Sequence, residues 1–155
     1  MRLGITGHQS LPLAAADELR RIIGAVAAAD ELTLVGSLAA GADQIAASAA
    51  LNSGGRLEVI VPCDGYEGTF GEASSQVEYG QLLSKAARIT VLPYPEPDEL
   101  AFMAAGILVV ERCVRLLAVW DGQPAVGLGG TADVVNYARR EGREVQVIWP
   151  IGSIR

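Results

Sequence analysis

Aromatic residues, cysteines and long apolar runs are scarce in this sequence of 155 residues. Only 5% of the residues are aromatic although 50% are hydrophobic, so the core must come mainly from Val, Ile, Leu and Ala. That mixture is typical of helices packed closely on a buried sheet. Cys63 and Cys113 are far from CxxC spacing, and we expect both to be reduced and buried. No apolar run reaches the ~20 residues of a membrane helix, so no membrane contact is expected.

Basic charge is also in short supply. The sequence has 12 Lys and Arg against 18 Asp and Glu, a net charge of -6. Proteins that bind nucleic acid usually present a basic face to the phosphates, so nucleic acid is an unlikely main partner. The amino terminus enters an apolar strand at once, without the pattern of a secretory signal, and we therefore expect a cytoplasmic protein.

Short apolar strands alternate with amphipathic helices along the whole chain. The strands are predicted at residues 2–6, 32–35, 57–61, 89–92, 116–120 and 145–149. Such alternation requires parallel pairing, right-handed crossovers and helices on both faces of the sheet. We predict an α/β fold, a three-layer doubly wound Rossmann-like domain with a mainly parallel sheet, spanning residues 1–155 as one domain.

The helix boundaries are predicted from capping residues, glycines and prolines. In chain order they are Ser10 as an N-cap, Gly54 and Gly55 as a stop, Ser74 or Ser75 as an N-cap, Pro97 as a start with an end near Cys113, and a helix over residues 131–140 closed by Gly142.

Three unusual loops follow strands and precede helices, at residues 4–9, 36–43 and 127–131, here called the first, second and third loops. In an open parallel sheet such loops meet at the carboxyl ends of the strands, where free N–H groups and positive helix ends attract anions. Ser37 and Thr131 add hydroxyl donors. None of the loops is a Walker P-loop or has GxGxxG spacing. Glycine-rich turns also occur for purely structural reasons.

Individual polar residues near these loops admit two interpretations. His8 is a ligand or proton-transfer group, or it only hydrogen-bonds the backbone. Asp43 fits a first-turn carboxylate that stabilises the helix dipole better than it fits a catalytic group. Asp121 either accepts hydrogen bonds from ribose hydroxyls or binds a substrate amine, or it belongs to a simple Asp-Gly turn. Tyr66 and Phe70 stack on a base or cover a pocket, or they only anchor their loop.

The predicted ligand is a nucleotide or nucleotide-derived molecule, without a metal ion or any further assured cofactor. The predicted binding residues are Gly7, His8, Gln9, Gly36, Ser37, Leu38, Gly41, Ala42, Asp43, Pro62, Tyr66, Phe70, Asp121, Gly122, Gly127, Gly129, Gly130 and Thr131.

Several motifs resemble the SLOG superfamily, which groups the Rossmann-like domains of the DprA (Smf) family with the LOG phosphoribohydrolases. The stretch GSLAAGADQIAASAAL…GGRLEVIVPCDGYEGTF is similar to the DprA pattern SGxAxGIDxxAHxxAL…GGxTIAVLxxGxDxxYP. GITGHQ is similar to the TGHR-like start of small bacterial members, and GLGGTADVV resembles the LOG motif GGxGTxxE. The resemblance implies a nucleotide-type ligand between the second and third loops, and a homodimer through apolar helix faces such as residues 102–110.

The sequence departs from this pattern at the catalytic position. Val134 stands where the resemblance places the LOG glutamate, and residues 103–107 lack the LOG arginine. Glycosidic cleavage needs a carboxylate beside the developing oxocarbenium ion, and valine has none.

A second resemblance links AVWDG…GGTADVVNYAR to nucleoside 2-deoxyribosyltransferases, whose nucleophilic glutamate also falls on Val134. The shared loss favours binding or sensing over catalysis. The first alternative is a nucleoside or nucleotide N-glycosidase or transferase that uses Asp121 or Asp133, with Glu67 and Glu111 as further carboxylates. The second is DprA-like single-stranded DNA binding.

Overall fold

Six strands alternate with five α-helices in residues 1–124 and 127–153, the part of the chain that the computed structural model describes. Residues 125, 126, 154 and 155 lie outside the described part. The strands are β1 (Arg2–Gly7), β2 (Thr33–Gly36), β3 (Arg56–Val61), β4 (Arg88–Val91), β5 (Arg115–Val119) and β6 (Glu144–Ile148). The helices are α1 (Leu13–Ala29), α2 (Ala42–Asn52), α3 (Ala73–Ser84), α4 (Glu99–Glu111) and α5 (Thr131–Arg140), with a 3₁₀ turn at Tyr66–Thr69.

The strands form one parallel sheet in the order β4-β3-β2-β1-β5-β6. This confirms the predicted α/β Rossmann-like fold. The strand order reverses direction between β1 and β5, because β2 lies on one side of β1 and β5 on the other. Such a reversal opens a crevice at the carboxyl ends of the two strands, where ligands of open α/β sheets usually bind.

Helices cover both faces of the sheet. On one face α1, α2 and α3 pack on strand residues such as Leu3, Leu34 and Leu57, while α4 and α5 cover Ile60 and Leu116 on the other. The inner face of α2 consists of fully buried alanines, which lets this helix lie close to the sheet. Both cysteines are buried and unbonded, as expected.

Two predicted caps before helices on the first face are wrong. Helix α1 begins after Pro12 rather than after Ser10, and the Pro12 carbonyl accepts the N–H groups of Ala15 and Ala16. Helix α3 begins after Glu72, so Ser74 and Ser75 lie inside its first turn. In both cases the carbonyl of the residue before the helix accepts N–H groups of the first turn, and no serine hydroxyl caps the helix.

Helix α4 begins two residues later than predicted. Asp98, not Pro97, precedes its first turn, and the Asp98 carboxylate accepts the N–H of Ala101 at 2.8 Å. A side-chain acceptor at the N-cap satisfies a donor that proline cannot. The predicted stop after α2 is confirmed, since Gly54 has φ +83° just beyond the C-cap.

A buried ion pair cluster ties the amino ends of the strands to the end of α4. Glu58 on β3 is 3% exposed, and it accepts hydrogen bonds from Arg2 at 2.5 Å and Arg112 at 2.8 Å. Burial alone raises the pKa of the Glu58 carboxyl, but the two guanidinium groups outweigh burial and lower it.

Among the described residues, no helix is long and apolar enough to cross a membrane.

Two glycines, Gly7 at the end of β1 and Gly24 inside α1, test how tightly the fold is packed. A Cβ on Gly7 would lie 2.5 Å from the Ala42 Cβ and 2.9 Å from the Val119 Cβ, whereas a Cβ on Gly24 in α1 would meet no atom within 4 Å. We predict that Gly7→Ala lowers the free energy of unfolding by roughly 1–3 kcal/mol through overpacking. Gly24→Ala should raise it by about 0.5–1 kcal/mol. Urea unfolding of both variants checks this, and equal effects would contradict it.

Candidate functional site

A cleft of about 640 Å³ opens at the carboxyl ends of β1, β2, β3 and β5. Its size is suitable for a small organic ligand. The predicted residues that line it are Gly7, His8, Gln9, Ser37, Asp43, Pro62, Tyr66, Phe70, Gly127, Gly129, Gly130 and Thr131. The predicted residues outside this lining are Gly36, Leu38, Gly41, Ala42, Asp121, Gly122 and the catalytic candidate Asp133.

The first loop packs directly on the start of α2. The His8 N–H donates to the Val119 carbonyl at 3.1 Å, and the Ala42 N–H donates to the His8 carbonyl at 3.1 Å. Gly41 has φ +86°, and a Cβ there would overlap the backbone of Gln9. Glycine at this position therefore permits the close approach that shapes one wall of the cleft.

The second loop differs from the expected anion site because two of its N–H groups donate to a carboxylate of the chain itself. Asp43 Oδ2 accepts the N–H of Ser37 at 3.2 Å and the N–H of Ala39 at 3.4 Å. Between them Leu38 is buried with φ +57°, a conformation unusual for a non-glycine residue. A protein carboxylate thus takes two of the N–H groups that were expected to face an anion, and ligand binding by the second loop stays a prediction.

Burial changes the acid–base behaviour of Asp43. The residue is only 6% exposed, and burial raises the pKa of its carboxyl from the ordinary 3.8 to about 7. The two N–H donors from Ser37 and Ala39 favour the ionised form and oppose this rise. Its position in the first turn of α2 agrees with the helix-dipole interpretation, and it also lines the cleft.

The third loop presents free donors. Within the described residues, the N–H groups of Thr131 and Ala132 in the first turn of α5 have no hydrogen-bond partner, and both residues line the cleft. Asp133 instead accepts the N–H of Gly129 at 3.0 Å and so braces the loop. Gly130 precedes the helix with φ -73°, a value that other residues adopt without strain. The positive end of the α5 dipole therefore lies at this side of the cleft.

Val134 forms part of the apolar wall. It is 3% exposed and packs on α4, where a Cβ on Gly106 would lie 2.5 Å from the Val134 Cγ2. An aliphatic side chain therefore occupies the place that the resemblance assigns to a glutamate. Glu111, another candidate carboxylate, is at the far end of α4, where it accepts a hydrogen bond from the Tyr137 hydroxyl at 3.3 Å.

His8 and Asp121 contact each other at the edge of the cleft. His8 Nε2 lies 3.2 Å from both the backbone N and the Oδ1 of Asp121. The lone pair of a neutral Nε2 accepts the N–H, and a protonated Nε2 donates to the carboxylate. Asp121 Oδ1 also accepts the Gln123 N–H at 3.0 Å, which forms the turn foreseen for Asp-Gly.

Aromatic rings make the wall opposite the first loop. Tyr66 and Phe70 line the cleft, but both are buried and pack edge to face with a centroid distance of 5.1 Å. Tyr79 joins them behind, and Phe102 approaches Tyr66 from α4. Burial raises the pKa of the Tyr66 hydroxyl, which stays protonated. The two rings thus anchor their loop and bound the cleft at once.

The sequence reasoning missed the contribution of α4. Glu99, Phe102 and Gly106 line the cleft along one side of this helix. Their spacing of three and four residues was the available signal, but α4 is apolar almost throughout, so its apolar pattern did not distinguish the side that borders the cleft. The described lining contains no Lys or Arg, and no three His, Cys, Asp or Glu residues in the described chain are grouped to hold a metal ion.

Comparison with known proteins identifies the fold. No family model matches the sequence, and no curated protein matches it. DNA processing protein A from Streptococcus pneumoniae is similar over 98% of this chain, with 20% identity and a TM-score of 0.73. This chain spans about half, 52%, of that protein.

Two further solved structures share the architecture. DNA processing protein A from Helicobacter pylori, described for its single-stranded DNA binding mode, matches 99% of this chain and 67% of its own, with 15% identity and a TM-score of 0.73. The structural genomics target TM1055 matches 93% of this chain and 71% of its own, with 15% identity and a TM-score of 0.58. At these identities the likeness defines a Rossmann-like α/β fold.

The raised pKa of Asp43 predicts a pH dependence of stability. Between the unfolded value near 3.8 and the folded value of about 7, the folded chain holds a proton that the unfolded chain has released. The free energy of unfolding should therefore fall by roughly 1–4 kcal/mol as the pH rises through this window. In Asp43→Asn the fall should be largely absent. Urea unfolding from about pH 4 to about pH 8 measures it, and equal slopes for both proteins would contradict the prediction.

Proposed function

We propose that the cleft binds a phosphate-bearing nucleotide or nucleotide-derived ligand, as a binding or sensing site without a dedicated catalytic group. The observation that carries the proposal is the pair of free N–H groups of Thr131 and Ala132, which line the cleft at the positive end of α5. Backbone donors at a helix start bind phosphate oxygens without any basic side chain. The Thr131 hydroxyl supplies a third donor.

The motif order supports placing the chain in the SLOG superfamily. Residues of its second and third loops line one cleft, which agrees with the ligand position that the resemblance implies, and its structural neighbours include two DNA processing proteins. The homodimer through residues 102–110 stays a prediction.

The carboxylates of the enzymatic alternative have other contacts. Asp133 braces Gly129, Asp121 contacts His8, and Val134 supplies only an apolar surface. This arrangement favours binding over N-glycosidic cleavage. Release of free base from nucleoside monophosphates, lost in Asp121→Asn or Asp133→Asn, would reverse that preference.

Blocking the start of α5 tests the phosphate site. We predict that Gly130→Val weakens binding of nucleoside 5′-monophosphates by about tenfold or more, because the side chain keeps phosphate oxygens from the free N–H groups. Its φ of -73° imposes no backbone strain, so thermal unfolding should change little. Isothermal titration calorimetry with the five common monophosphates measures the affinity. Unchanged binding by a folded Gly130→Val protein would contradict the proposal.

Single-stranded DNA binding is the second outcome to measure, because one structural neighbour is described for that property. With 18 acidic against 12 basic side chains, we predict weak, salt-sensitive or absent binding to an oligonucleotide. Fluorescence anisotropy over a range of salt concentrations checks this. Submicromolar affinity at physiological salt would show that DNA is a main partner.

A further inference from the structure

The two loops that end at helix starts have opposite polarity. At α5 the N–H groups of Thr131 and Ala132 are free to donate. At α2 the Ala42 N–H donates to the His8 carbonyl, and the Ser37 and Ala39 N–H groups donate to Asp43. One end of the cleft thus offers donors to an anion, while the other presents a carboxyl group that accepts two N–H groups of its own loop.

Asp43 keeps one oxygen for a ligand. Both of its hydrogen bonds end on Oδ2, and Oδ1 has no partner among the described residues. Oδ1 is not among the described side-chain atoms that are both buried and unpartnered, so it is in contact with solvent. Asp43 also lines the cleft. The residue is otherwise 94% buried, since only 6% of its surface is exposed. Hydrogen bonds to Oδ2 fix the carboxyl group, and Oδ1 is therefore available at the cleft as a hydrogen-bond acceptor.

We propose that Asp43 Oδ1 accepts a hydrogen bond from a hydroxyl or amino group of the nucleoside part of the ligand, whose phosphate lies at the start of α5. This inference rests on the proposed function and assigns its orientation. A carboxyl oxygen accepts hydrogen bonds from hydroxyl and amino donors, and above its pKa of about 7 the ionised group accepts them more strongly and repels phosphate. The second loop then reads the sugar or base, and the third loop holds the phosphate.

The neighbouring groups are consistent with this assignment. The described cleft lining has no Lys or Arg that would pair with Asp43, and Glu99 lies on the α4 side beside Gly127. The Tyr66 hydroxyl, whose pKa is raised by burial and then by Asp43, stays neutral. No group of the described residues donates to Oδ1, so this oxygen is available to a hydroxyl or amino donor of a ligand.

Asp43→Asn isolates the acceptor. The amide oxygen can still accept the Ser37 and Ala39 N–H groups, while its NH₂ group replaces Oδ1 and turns the acceptor into a donor. The wild type and the variant are titrated by calorimetry with a panel of nucleosides and their 5′-monophosphates. We expect Asp43→Asn to lose about tenfold or more in affinity for a nucleoside and for its monophosphate alike. The ratio of these two affinities, here called the phosphate increment, should therefore be unchanged. Gly130→Val should show the opposite pattern and reduce only that increment.

Asp98→Asn is the matched control. Asp98 also accepts a backbone N–H at a helix start, but it lies outside the cleft lining, so its replacement should leave nucleoside affinity unchanged. An equal loss in Asp98→Asn and Asp43→Asn would show a general effect of the folded state and overturn the assignment.

Analogues of the ligand test the same contact without a variant. On the wild-type protein, removing the ribose hydroxyls or the exocyclic amino group of the tightest nucleoside should weaken binding by about tenfold in one of the two cases. If neither removal changes the affinity, the inference is overturned even though nucleotides bind. The same holds if Asp43→Asn reduces only the phosphate increment. If no member of the panel binds the wild type at millimolar concentration, the proposed function itself fails.

Discussion

The buried carboxylate of Asp43 is the interaction on which the cleft depends. Its Oδ2 holds the N–H groups of Ser37 and Ala39, and this contact keeps Leu38 in its unusual backbone conformation. Left without the carboxylate, these part-buried donors would each carry a desolvation cost of up to about 1–3 kcal/mol. The carboxyl in turn stays buried at the cost of a raised pKa, which makes one polar group responsible for loop shape and for ligand-facing chemistry.

Close backbone contacts bring this carboxylate to the cleft. Small residues on α2 allow the helix to lie against the sheet, and Gly7 and Gly41 leave room for the first loop to pack on its start. The His8 backbone then bonds both Val119 on β5 and Ala42 on α2, which fixes the loops after β1, β2 and β5 relative to one another. At the other end of the sheet, Glu58 with Arg2 and Arg112 joins β1, β3 and α4. The cleft is thus an opening between elements that are held at both ends.

Much of the architecture could be predicted because it depends on local periodicity. The apolar strands alternate with helical patterns over the whole chain, and parallel pairing follows from that order. The helix starts were less predictable, because the Pro12 carbonyl and the Asp98 carboxylate compete with the nearby serines and proline as caps. The side of α4 that borders the cleft could not be found from a helix that is apolar almost throughout.

The sequence by itself determined the parallel α/β fold and the loops that meet at its carboxyl edge, since alternating patterns and glycine positions are local properties of the chain. Tertiary structure decided which loop donors remain free. Asp43 occupies the Ser37 and Ala39 N–H groups of the second loop, and the Thr131 and Ala132 N–H groups of α5 stay free, because hydrogen bonds and desolvation depend on atoms brought together in the folded chain. The same spatial condition placed Asp121 beside His8, 113 residues away in the chain.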